Sequence, residues 1–392
     1  MLIGLIGAPN KGKSTIFSAL TSVKADIADY PFTTINPNLG VAYASKPCPE
    51  RELGVKCQPR NSLCSNGIRL IPVNVLDVAG LVPGAHMGKG MGNQFLNDLS
   101  AADALIQVVD ISGTTDLEGR PCNGFDPSDE VKAVMDELIE WMSGIIARHM
   151  PTVSKRTDGA KALSEILTGF HATQETVSKA AEENFLTTSS ISWSAESIRR
   201  FAASLLRITK PLIVAANKLD KSDSAALEKL RKALPGVRVV GTSGAIELAL
   251  RRASDSGIIR YTGGSGAFEL LENPDQQQNA ALDYMSSYLG KNGGTGVQTL
   301  LNTTVFELLH KIVAYPVEDE NKYTDHFGNV LPDAMLLTDG STALDLAASI
   351  HTDLARGMLY AIDARKKLRL AKDYKLKDND VIKVVSVSKG RA

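Results

Sequence analysis

Short, nearly continuous apolar runs recur along the first two thirds of the chain, at residues 2–6, 70–76, 104–110, 212–216 and 237–240. Each run has the length of one β-strand. Strands that are apolar on both faces are typical of a parallel sheet covered by helices on both sides. The pattern therefore predicts an α/β fold. Within it, Pro72 favours an edge strand because proline has no N–H to donate to a neighbouring strand.

The period of the apolar positions changes after about residue 126. Val131, Val134 and Leu138 recur at helical spacing, and two more helical stretches are predicted over residues 160–182 and from residue 194 to Pro211. We therefore expect a helical insertion. Its apolar stripe is interpreted mostly as its own packing seam, with a partner-binding face as the alternative.

The rest of the chain alternates between predicted helices and short strands. The glycine-rich segment 290–296 separates helices predicted over 275–289 and 297–311, and we interpret it as a linker. A small unit with strands at 359–361 and 381–387 follows. The expected organisation is one discontinuous α/β domain at 1–120 and 210–313, the insertion at 121–209 and a last domain at 314–392.

Composition narrows the function classes only slightly. The 392 residues carry a formal net charge of −1 and are 43% hydrophobic, so no global charge attracts the chain to nucleic acid or a membrane surface. No apolar run approaches the roughly 18 residues of a membrane span. No basic leader precedes the first strand. We therefore expect a cytoplasmic protein with neither membrane association nor DNA specificity.

Three of the four cysteines, Cys48, Cys57 and Cys64, lie close together in the sequence. Their spacing is not the paired Cys-x-x-Cys of common zinc modules, and a fourth ligand is not evident. Free thiols in a loop or hairpin are the favoured interpretation, and a structural zinc site is the alternative.

The first strand leads into a segment that matches Gly-x-x-x-x-Gly-Lys-[Ser/Thr], the pattern of a phosphate-binding P-loop between a strand and a helix. Glycines allow backbone amides to turn inward around phosphate oxygens, and the helix N-terminus adds its positive dipole end. Lys13 is expected to reach the β- and γ-phosphates, and the Ser14 hydroxyl to bind Mg²⁺. The predicted nucleotide-binding residues here are Gly7, Ala8, Pro9, Asn10, Lys11, Gly12, Lys13, Ser14 and Thr15.

Asp77 and Gly80 follow the strand at 70–76. An aspartate at a strand end beside a P-loop can hold Mg²⁺ through water, and the Gly80 amide can bind the γ-phosphate and sense its loss. By itself this pattern is weak, and an ordinary strand-to-turn aspartate is the alternative. Its position between the P-loop and the next motif gives it weight.

Asn217, Lys218 and Asp220 follow the strand at 212–216. The Asp220 carboxylate can accept hydrogen bonds from guanine N1 and N2, and adenine offers no such donor pair. The aliphatic stem of Lys218 can lie along the base. After the next strand, the backbone amides of Ser243, Gly244 and Ala245 could contact guanine O6. The three motifs in this order predict a guanine-nucleotide site.

The segments between these motifs resemble a known family. Residues 29–40 are similar to the first switch of the Obg-like GTPases, and residues 77–86 and 88–96 resemble the second switch of their YchF branch. The resemblance covers essentially the whole chain, including residues 315–320. It implies a P-loop NTPase with a Ras-like G domain, a coiled-coil-like helical insertion and a C-terminal β-grasp TGS domain. It also implies a cytosolic, translation-associated GTPase.

The resemblance assigns further roles. Bacterial and eukaryotic members commonly end the base motif in Glu, which relaxes discrimination against ATP, so Asp220 predicts a preference for guanine. Thr34, with Thr33 as its rival, is expected to bind Mg²⁺ beside Ser14, while Asp77 acts through water.

Hydrolysis is expected to be slow, because Leu81 stands where Ras-like proteins use a glutamine to orient water. Lys13, Gly80 and His86 are the candidate catalytic residues, with His86 as the candidate for positioning water. Asn10 is a candidate ligand for K⁺.

A local basic run lies in the last unit. It consists of Arg365, Lys366, Lys367, Arg369 and Lys372. Such a run is commonly a solvated face, and phosphate contact with RNA is the functional alternative. The ribosome as the source of that RNA, with contacts through the TGS domain and the helical insertion, comes from the resemblance.

Three functions are compatible with these patterns. The first is a slow GTPase switch that acts on the translation machinery. The second is a scaffold that senses GTP or GDP with negligible turnover. The third is an ATPase or a nucleotide kinase. Asp220 argues against an ATPase, and no acceptor motif supports a kinase.

Overall fold

The computed structural model describes residues 1–22, 38–78, 99–188 and 193–387. The predictions for Thr34, Gly80, Leu81 and His86 concern residues outside these ranges. The described residues fall into two compact units. The first unit comprises 1–22, 38–41, 74–78, 99–188 and 193–300, and the second comprises 42–73 and 301–387. This division groups 42–73 with the C-terminal part of the chain, whereas the sequence pattern had suggested the N-terminal domain.

One sheet carries the parallel strands that the apolar runs predicted. Its strands are β1 (Leu2–Ile6), β2 (Leu39–Pro47), β3 (Leu63–Ser65), β4 (Ile68–Asp77), β5 (Ala104–Asp110), β6 (Leu212–Asn217) and β7 (Arg238–Gly241). The order is β2–β4–β1–β5–β6–β7, with β3 antiparallel beside β4. The pairs β4–β1, β1–β5, β5–β6 and β6–β7 are parallel. The carboxyl ends of these strands therefore meet at one edge.

The edge position that Pro72 suggested for its strand is wrong, because β4 lies between β2 and β1. The paired register of β4 with β1 begins at Asn74, opposite Leu2. Pro72 lies before that stretch, so its missing N–H removes no bond of the β1 ladder.

Helices connect and cover the strands. The α-helices before residue 303 whose two ends both lie in the described residues are α1 (Lys13–Thr21), α2 (Glu50–Leu53), α3 (Pro127–Val153), α4 (Gly159–Ile166), α5 (Gln174–Glu183), α6 (Ala195–Thr209), α7 (Ser224–Ala233), α8 (Gly244–Asp255), α9 (Gln276–Asn292) and α10 (Val297–Asn302). A short ladder joins β8 (Ile259–Arg260) to β9 (Glu269–Leu270). The first turn of α3 shows why such a helix starts where it does, because the Asp126 side chain accepts from the Ser128 amide and Pro127 occupies the first turn.

The continuous helix predicted over 160–182 is broken in the structure. α4 ends at Ile166, a 3₁₀ turn spans Thr168–Phe170, and His171 has a positive φ of 58°. α5 then begins after Thr173, whose side chain forms a capping box with Thr176.

The apolar stripe of residues 127–209 is buried within the first unit. Val134, Leu138 and Met142 of α3 belong to one buried cluster with Leu205 of α6 and Leu105 of β5. The helices therefore pack on one another and on the sheet through the same core. Among the helices of the described residues, none combines the length and apolar character that crossing a membrane requires.

The second unit contains a five-stranded mixed sheet. Its strands are β10 (Lys311–Val317), β11 (Met335–Thr338), β12 (Met358–Asp363), β13 (Leu368–Leu370) and β14 (Asp380–Ser386), in the order β11–β10–β14–β12–β13. The pair β10–β14 is parallel and the other pairs are antiparallel. Helices α11 (Ala343–Ile350) and α12 (Thr352–Gly357) follow β11. β10 starts at Lys311, where the sequence had predicted the end of a helix.

Alternate residues of β10 serve two different cores, as the two-residue period of a strand requires. Ile312 and Ala314 pack with Leu346 of α11. Val313 and Tyr315 pack on the other face with a cluster that includes Cys48. The predicted α/β fold with a small C-terminal sheet unit is confirmed.

Candidate functional site

The carboxyl edge of the parallel sheet brings the sequence motifs together, and we call it the nucleotide edge. It consists of the segments that follow β1, β4, β5, β6 and β7. β1 is flanked by β4 on one side and by β5 on the other, so strand order reverses beside it. Ligands of open α/β sheets bind at such a point.

The segment after β1 has the backbone of a phosphate loop. Gly7, Asn10 and Gly12 have φ values of 148°, 62° and 87°. α1 begins at Lys13 directly after the left-handed Gly12, and no side chain of the described residues caps it. A β-carbon on Gly12 would lie 2.3 Å from the Asn217 amide nitrogen, so this position requires glycine. The first-turn amides of α1 remain available to an anion.

These residues surround a cavity of about 370 Å³. Eight of the nine loop residues predicted to bind nucleotide line it. They are Gly7, Ala8, Pro9, Asn10, Gly12, Lys13, Ser14 and Thr15. The Asn10 side-chain nitrogen donates to the Gly119 carbonyl at 3.0 Å, which anchors the outer part of the loop.

The ninth residue, Lys11, points away from the cavity. Its side chain is fully buried, forms an ion pair with Glu130 at 3.0 Å and donates to the Thr115 carbonyl at 2.9 Å. Burial raises the pKa of Glu130, against the opposing effect of Lys11 and of the Ala8 amide. The predicted contact of Lys11 with nucleotide therefore reduces to its backbone amide, because the ammonium group braces the loop from behind.

Lys13 and Ser14 meet Asp77 at the mouth of the loop. The Lys13 ammonium contacts one carboxylate oxygen of Asp77, and the Ser14 hydroxyl donates to the other at 3.2 Å. The β1–β4 register, which places Leu5 opposite Asp77, fixes this arrangement. One hydroxyl and one carboxylate thus adjoin, and such oxygen donors suit a hard cation such as Mg²⁺.

Asn217 joins three segments of the nucleotide edge. Its side-chain nitrogen donates to the Lys11 carbonyl at 2.9 Å, and its side-chain oxygen accepts from the Gly244 amide at 3.0 Å. The side chain is buried. It therefore locks the P-loop to the start of α8.

Lys218 is held by an aspartate that the sequence analysis did not single out. Its ammonium donates to Asp110 at 2.8 Å. Burial acts to raise the pKa of Asp110, but hydrogen bonds from Lys218, Ser112, Thr114 and Thr115 outweigh it and lower that pKa to about 2. The available signal was position, since Asp110 ends β5 in the same way that Asp77 ends β4.

Asp220 is held by the loop that follows β7. The Ser243 hydroxyl donates to the Asp220 carboxylate at 2.5 Å and also accepts from the Ile246 amide as the N-cap of α8. Gly244 and Ala245 form the first turn of α8. The structure therefore places Asp220 beside the three residues whose amides were predicted to contact the base.

The glycine-rich segment 290–296 is packed against this loop and is not a simple linker. The Thr295 carbonyl accepts from the Ser243 amide at 2.9 Å, and the Thr295 hydroxyl donates to Glu247 at 2.5 Å. A β-carbon on Gly296 would lie 1.9 Å from the Gly241 carbonyl oxygen. Glycine is therefore needed at position 296 for this close approach.

The basic run of the second unit lies on the hairpin between β12 and β13 and just after it. Several of its charges already have protein contacts. Arg365 pairs with Glu52 at 3.1 Å, and the Arg369 guanidinium lies 3.8 Å from the Tyr360 ring centre. Lys367 donates to the Glu320 carbonyl. Lys366, 4.0 Å from Asp363, and Lys372 are exposed.

Comparison with protein families and known proteins agrees with this geometry. A model described as "Obg-like GTPase YGR210-like, G4 motif-containing domain" matches residues 215–319. A model described as "50S ribosome-binding GTPase" matches residues 2–151, and a TGS domain model matches residues 327–386.

Relatives extend the likeness to the whole chain. An uncharacterized GTP-binding protein of Methanocaldococcus jannaschii is 49% identical over 99% of this chain and 100% of its own length. Obg-like ATPase 1 of Rattus norvegicus is 31% identical over 64% of this chain and 63% of its own length.

Two solved structures show the same fold. The crystal structure of a GTP-binding protein from Pyrococcus horikoshii has a TM-score of 0.82 at 37% identity and covers 99% of this chain and 100% of its own. The Schizosaccharomyces pombe YchF GTPase has a TM-score of 0.59 at 21% identity and covers 98% of this chain and 97% of its own, a likeness of fold. The chain belongs to the Obg-like GTPase family.

Proposed function

We propose that this protein binds GTP at the nucleotide edge and hydrolyses it slowly to GDP and phosphate, as a molecular switch. The observation that carries the proposal is the convergence of the P-loop, Asp77 and Asp220 on the carboxyl edge of one sheet. A mononucleotide needs a phosphate cradle and a base contact at such an edge.

The phosphates are bound by backbone and one lysine. The amides from Asn10 to Thr15 surround the cavity side of the loop, and Lys13 supplies the positive charge at its mouth. Lys11 and Asn217 hold this loop in place through the ion pair and the hydrogen bond described above. The loop is thus built before the nucleotide arrives, which lowers the ordering cost of binding.

A magnesium ion is the proposed cofactor, with Ser14 as a direct ligand, Thr34 as a second and Asp77 acting through water. The adjacent Ser14 hydroxyl and Asp77 carboxylate fit a hard cation. When bound, Mg²⁺ neutralises charge on the β- and γ-phosphates. A K⁺ ion near Asn10 is a further proposal, which a comparison of turnover in K⁺ and Na⁺ tests.

Guanine is the proposed base. Ser243 holds one Asp220 oxygen, which orients the carboxylate without neutralising it. A carboxylate that accepts from guanine N1 and N2 is left unpaired by adenine, which costs about 1.5–3 kcal/mol for each lost charge-assisted bond. A relative is named an ATPase, so ATP is the competing substrate in the test.

Slow turnover is proposed from the second switch, in which Leu81 replaces a water-orienting glutamine. Lys13, Gly80 and His86 stay the candidate catalytic residues. A scaffold that binds GTP with negligible turnover is the alternative, and single-turnover hydrolysis of GTP separates the two.

Binding is tested by titrating GTP, GDP and ATP into the full chain and into Lys13→Ala, with Lys232→Ala on the exposed face of α7 as the control. Lys13→Ala should weaken GTP binding by about 100-fold or more, because a charge-assisted contact to two phosphates is lost. Lys232→Ala should bind as the wild type does. Unchanged GTP affinity in Lys13→Ala, or ATP binding as tight as GTP, would overturn the assignment.

We further propose that the switch acts on the translation machinery in the cytoplasm. The TGS domain, the basic hairpin and the family resemblance support a ribosomal or RNA partner. Cosedimentation with ribosomes in the presence of a GTP analogue or GDP is the test. Pelleting that differs between the two nucleotides supports it, and equal or absent pelleting contradicts it.

A further inference from the structure

The second unit contains a cluster of three thiols and one carboxylate, which we call the thiol cluster. It consists of Cys48, Glu50, Cys57 and Cys64, whose ligand atoms all lie within 4.8 Å of one another. Cys48 lies just beyond β2, Glu50 begins α2, Cys57 belongs to the loop after it and Cys64 lies in β3. We propose that the thiol cluster is a structural site for one Zn²⁺ ion.

Glu50 supplies the fourth ligand that the cysteine spacing lacks. The Glu50 Oε2 atom accepts from the Cys57 amide at 3.0 Å, while Oε1 lies 3.4 Å from the Cys64 sulfur. One oxygen is therefore held by backbone, and the other faces the thiols. Carboxylates that bind metals are commonly oriented in this way by a hydrogen bond to their second oxygen.

Two of the ligand-atom separations fit one tetrahedral metal centre, and the remaining pairs lie within 4.8 Å. With zinc–sulfur bonds near 2.3 Å and zinc–oxygen bonds near 2.0 Å, a tetrahedron places two sulfurs about 3.8 Å apart and a sulfur and an oxygen about 3.5 Å apart. The Cys48–Cys57 sulfur separation is 3.9 Å, and the Cys64 sulfur lies 3.4 Å from Glu50. Both values match the tetrahedron. The sulfur separation is far too long for a disulfide bond of about 2.05 Å.

The donor set selects the metal. Three soft thiolates in a tetrahedral arrangement favour zinc over magnesium or calcium, which prefer oxygen ligands. Iron–sulfur clusters are held by four cysteines or by cysteines with histidines, and this site offers neither. Binding forms three zinc–sulfur bonds and one zinc–oxygen bond, and the three thiol protons pass to water.

A buried arginine complements the charge of such a centre. Zn²⁺ with three thiolates and a carboxylate carries a net charge of −2. Arg69 is fully buried and lies directly opposite Cys64 in the β3–β4 register. Its Nη2 group donates to the Leu331 carbonyl, whereas Nε and Nη1 have no hydrogen-bond partner among the described residues. An anionic metal centre gives this buried cation a counter-charge. A buried cation without a counter-charge is costly for the folded state.

The surroundings fit a structural site more than a catalytic one. Cys48 and Cys57 are 4% and 8% exposed and pack with Tyr315, Val313 and Leu331. Four protein ligands complete the tetrahedron, so no position is left for substrate. The loop at residues 54–62 has neither helix nor strand, and the site would join it to α2 and β3.

Metal content tests the proposal directly. The full chain is reduced, loaded with Zn²⁺, separated from excess metal and analysed by mass spectrometry of the metal. Wild type should retain about one equivalent, the stoichiometry of a single closed site. The matched control Cys122→Ser, which removes the cysteine outside the cluster, should retain the same amount. Cys57→Ser should lose most of it.

A second arm stays informative if Cys57→Ser does not fold. Glu50→Gln preserves side-chain volume, and we expect zinc affinity to fall by at least about tenfold, because losing a direct ligand should cost no less than losing a residue that only orients one. Co²⁺ added to wild type should give the intense visible bands of a tetrahedral ion with thiolate charge transfer.

Three results would each overturn the site. They are zinc retention by wild type no greater than by Cys57→Ser, a cobalt spectrum without thiolate charge transfer, and a Cys48–Cys57 disulfide that persists after treatment with a reductant.

Discussion

The nucleotide edge and the thiol cluster hold their polar groups in opposite ways. At the nucleotide edge the buried side chains of Asp110 and Asn217 are satisfied by the chain itself. Asp110 accepts from four side chains, and Asn217 bonds to two other segments through both of its amide atoms. In the thiol cluster three sulfur groups face one carboxylate, and Arg69 has two buried nitrogens without a partner among the described residues. The first site is complete as protein, and the second becomes complete with a metal.

That difference also explains what the sequence reveals. A P-loop is a local object, because its glycines, lysine and serine act through consecutive backbone amides. The thiol cluster depends on how β2, α2, a loop and β3 come together. Glu50 is one of many glutamates, and nothing in its neighbours marks it as a ligand. Its role becomes visible only when the β3–β4 hairpin brings Cys64 to it.

The largest expected effect is on the thiol cluster. Removing zinc with a strong chelator, or replacing Cys57 by Ser, should destabilise residues 42–73 and the sheet of the second unit by several kcal/mol, because structural zinc binding is itself folding free energy. Amide hydrogen exchange over residues 48–67 measures this loss. GTP affinity, carried by residues of the first unit, should change little.

Faster exchange confined to chelated wild type and Cys57→Ser, with Cys122→Ser unchanged, would support the contrast. A chelator without effect on exchange would show that the thiol cluster is as complete without metal as the nucleotide edge.

The next effect concerns the two lysines of the P-loop. Lys11→Met removes one partner of a buried ion pair and leaves Glu130 without its counter-charge, so the free energy of unfolding should fall by about 3–5 kcal/mol. Chemical denaturation measures it. Nucleotide affinity of the folded variant should fall far less than in Lys13→Ala, because the Lys11 side chain does not line the cavity.

Neutralising both partners provides the control. Lys11→Met combined with Glu130→Gln should recover part of the stability, since no buried charge is left alone. If Lys11→Met lost GTP affinity as strongly as Lys13→Ala while keeping its stability, the division of labour between the two lysines would be wrong.

A third test uses the acid titration of Asp110. Its folded-state pKa of about 2 lies below the value near 3.9 of an unfolded chain. The stabilisation is therefore fully present above about pH 5 and is lost as the pH falls from there through 2, and it amounts to about 2–3 kcal/mol. Asp110→Asn should be less stable than wild type by about that amount at pH 7.

Denaturant unfolding of the two proteins from pH 7 to pH 2 measures this difference. The difference in the free energy of unfolding should become smaller below about pH 5. A difference in the free energy of unfolding that stays constant with pH would mean that Asp110 stabilises the protein through packing and not through its charge.

Most of the fold could be predicted from the sequence, and the errors in that prediction have local causes. Among the described residues, the apolar strands lie where their patterns predicted, and so do the P-loop, Asp77 and residues 217–220. The helix predicted over 160–182 breaks, because Gly169 and the capping Thr173 favour a turn that the apolar period alone does not reveal. The helix predicted over 297–311 ends early. A π-helical turn spans Thr303–Leu308, and β10 begins at Lys311.

Two residues that support the nucleotide edge from outside it share one property, which is distance along the chain. Glu130 braces Lys11 from a helix far downstream, and Thr295 supports Ser243 from beyond α9. Neither belongs to a motif, because their contacts depend on tertiary packing. Sequence patterns therefore identify the residues that face the ligand better than those that position them.

The smallest expected effect tests one such positioning contact. Ser243→Ala removes the hydroxyl that donates to Asp220 at 2.5 Å. The carboxylate then loses one of its orienting bonds, and we expect the preference for GTP over ATP to fall by about tenfold, the equivalent of one hydrogen bond to a charged group. A competition titration of the two nucleotides measures it. Stability should fall by only about 1 kcal/mol, the usual cost of a lost N-cap.

Ser256→Ala, which alters the other end of α8, is the matched control and should leave the preference unchanged. Asp220→Asn should lower the preference further than Ser243→Ala, because it removes the acceptor and not merely its support. If Ser243→Ala and Asp220→Asn had equal effects, Ser243 would contribute as much to base choice as the carboxylate does. If neither had an effect, guanine selection would reside in the backbone amides at the start of α8, and the acidic side chain would serve only to hold the loop.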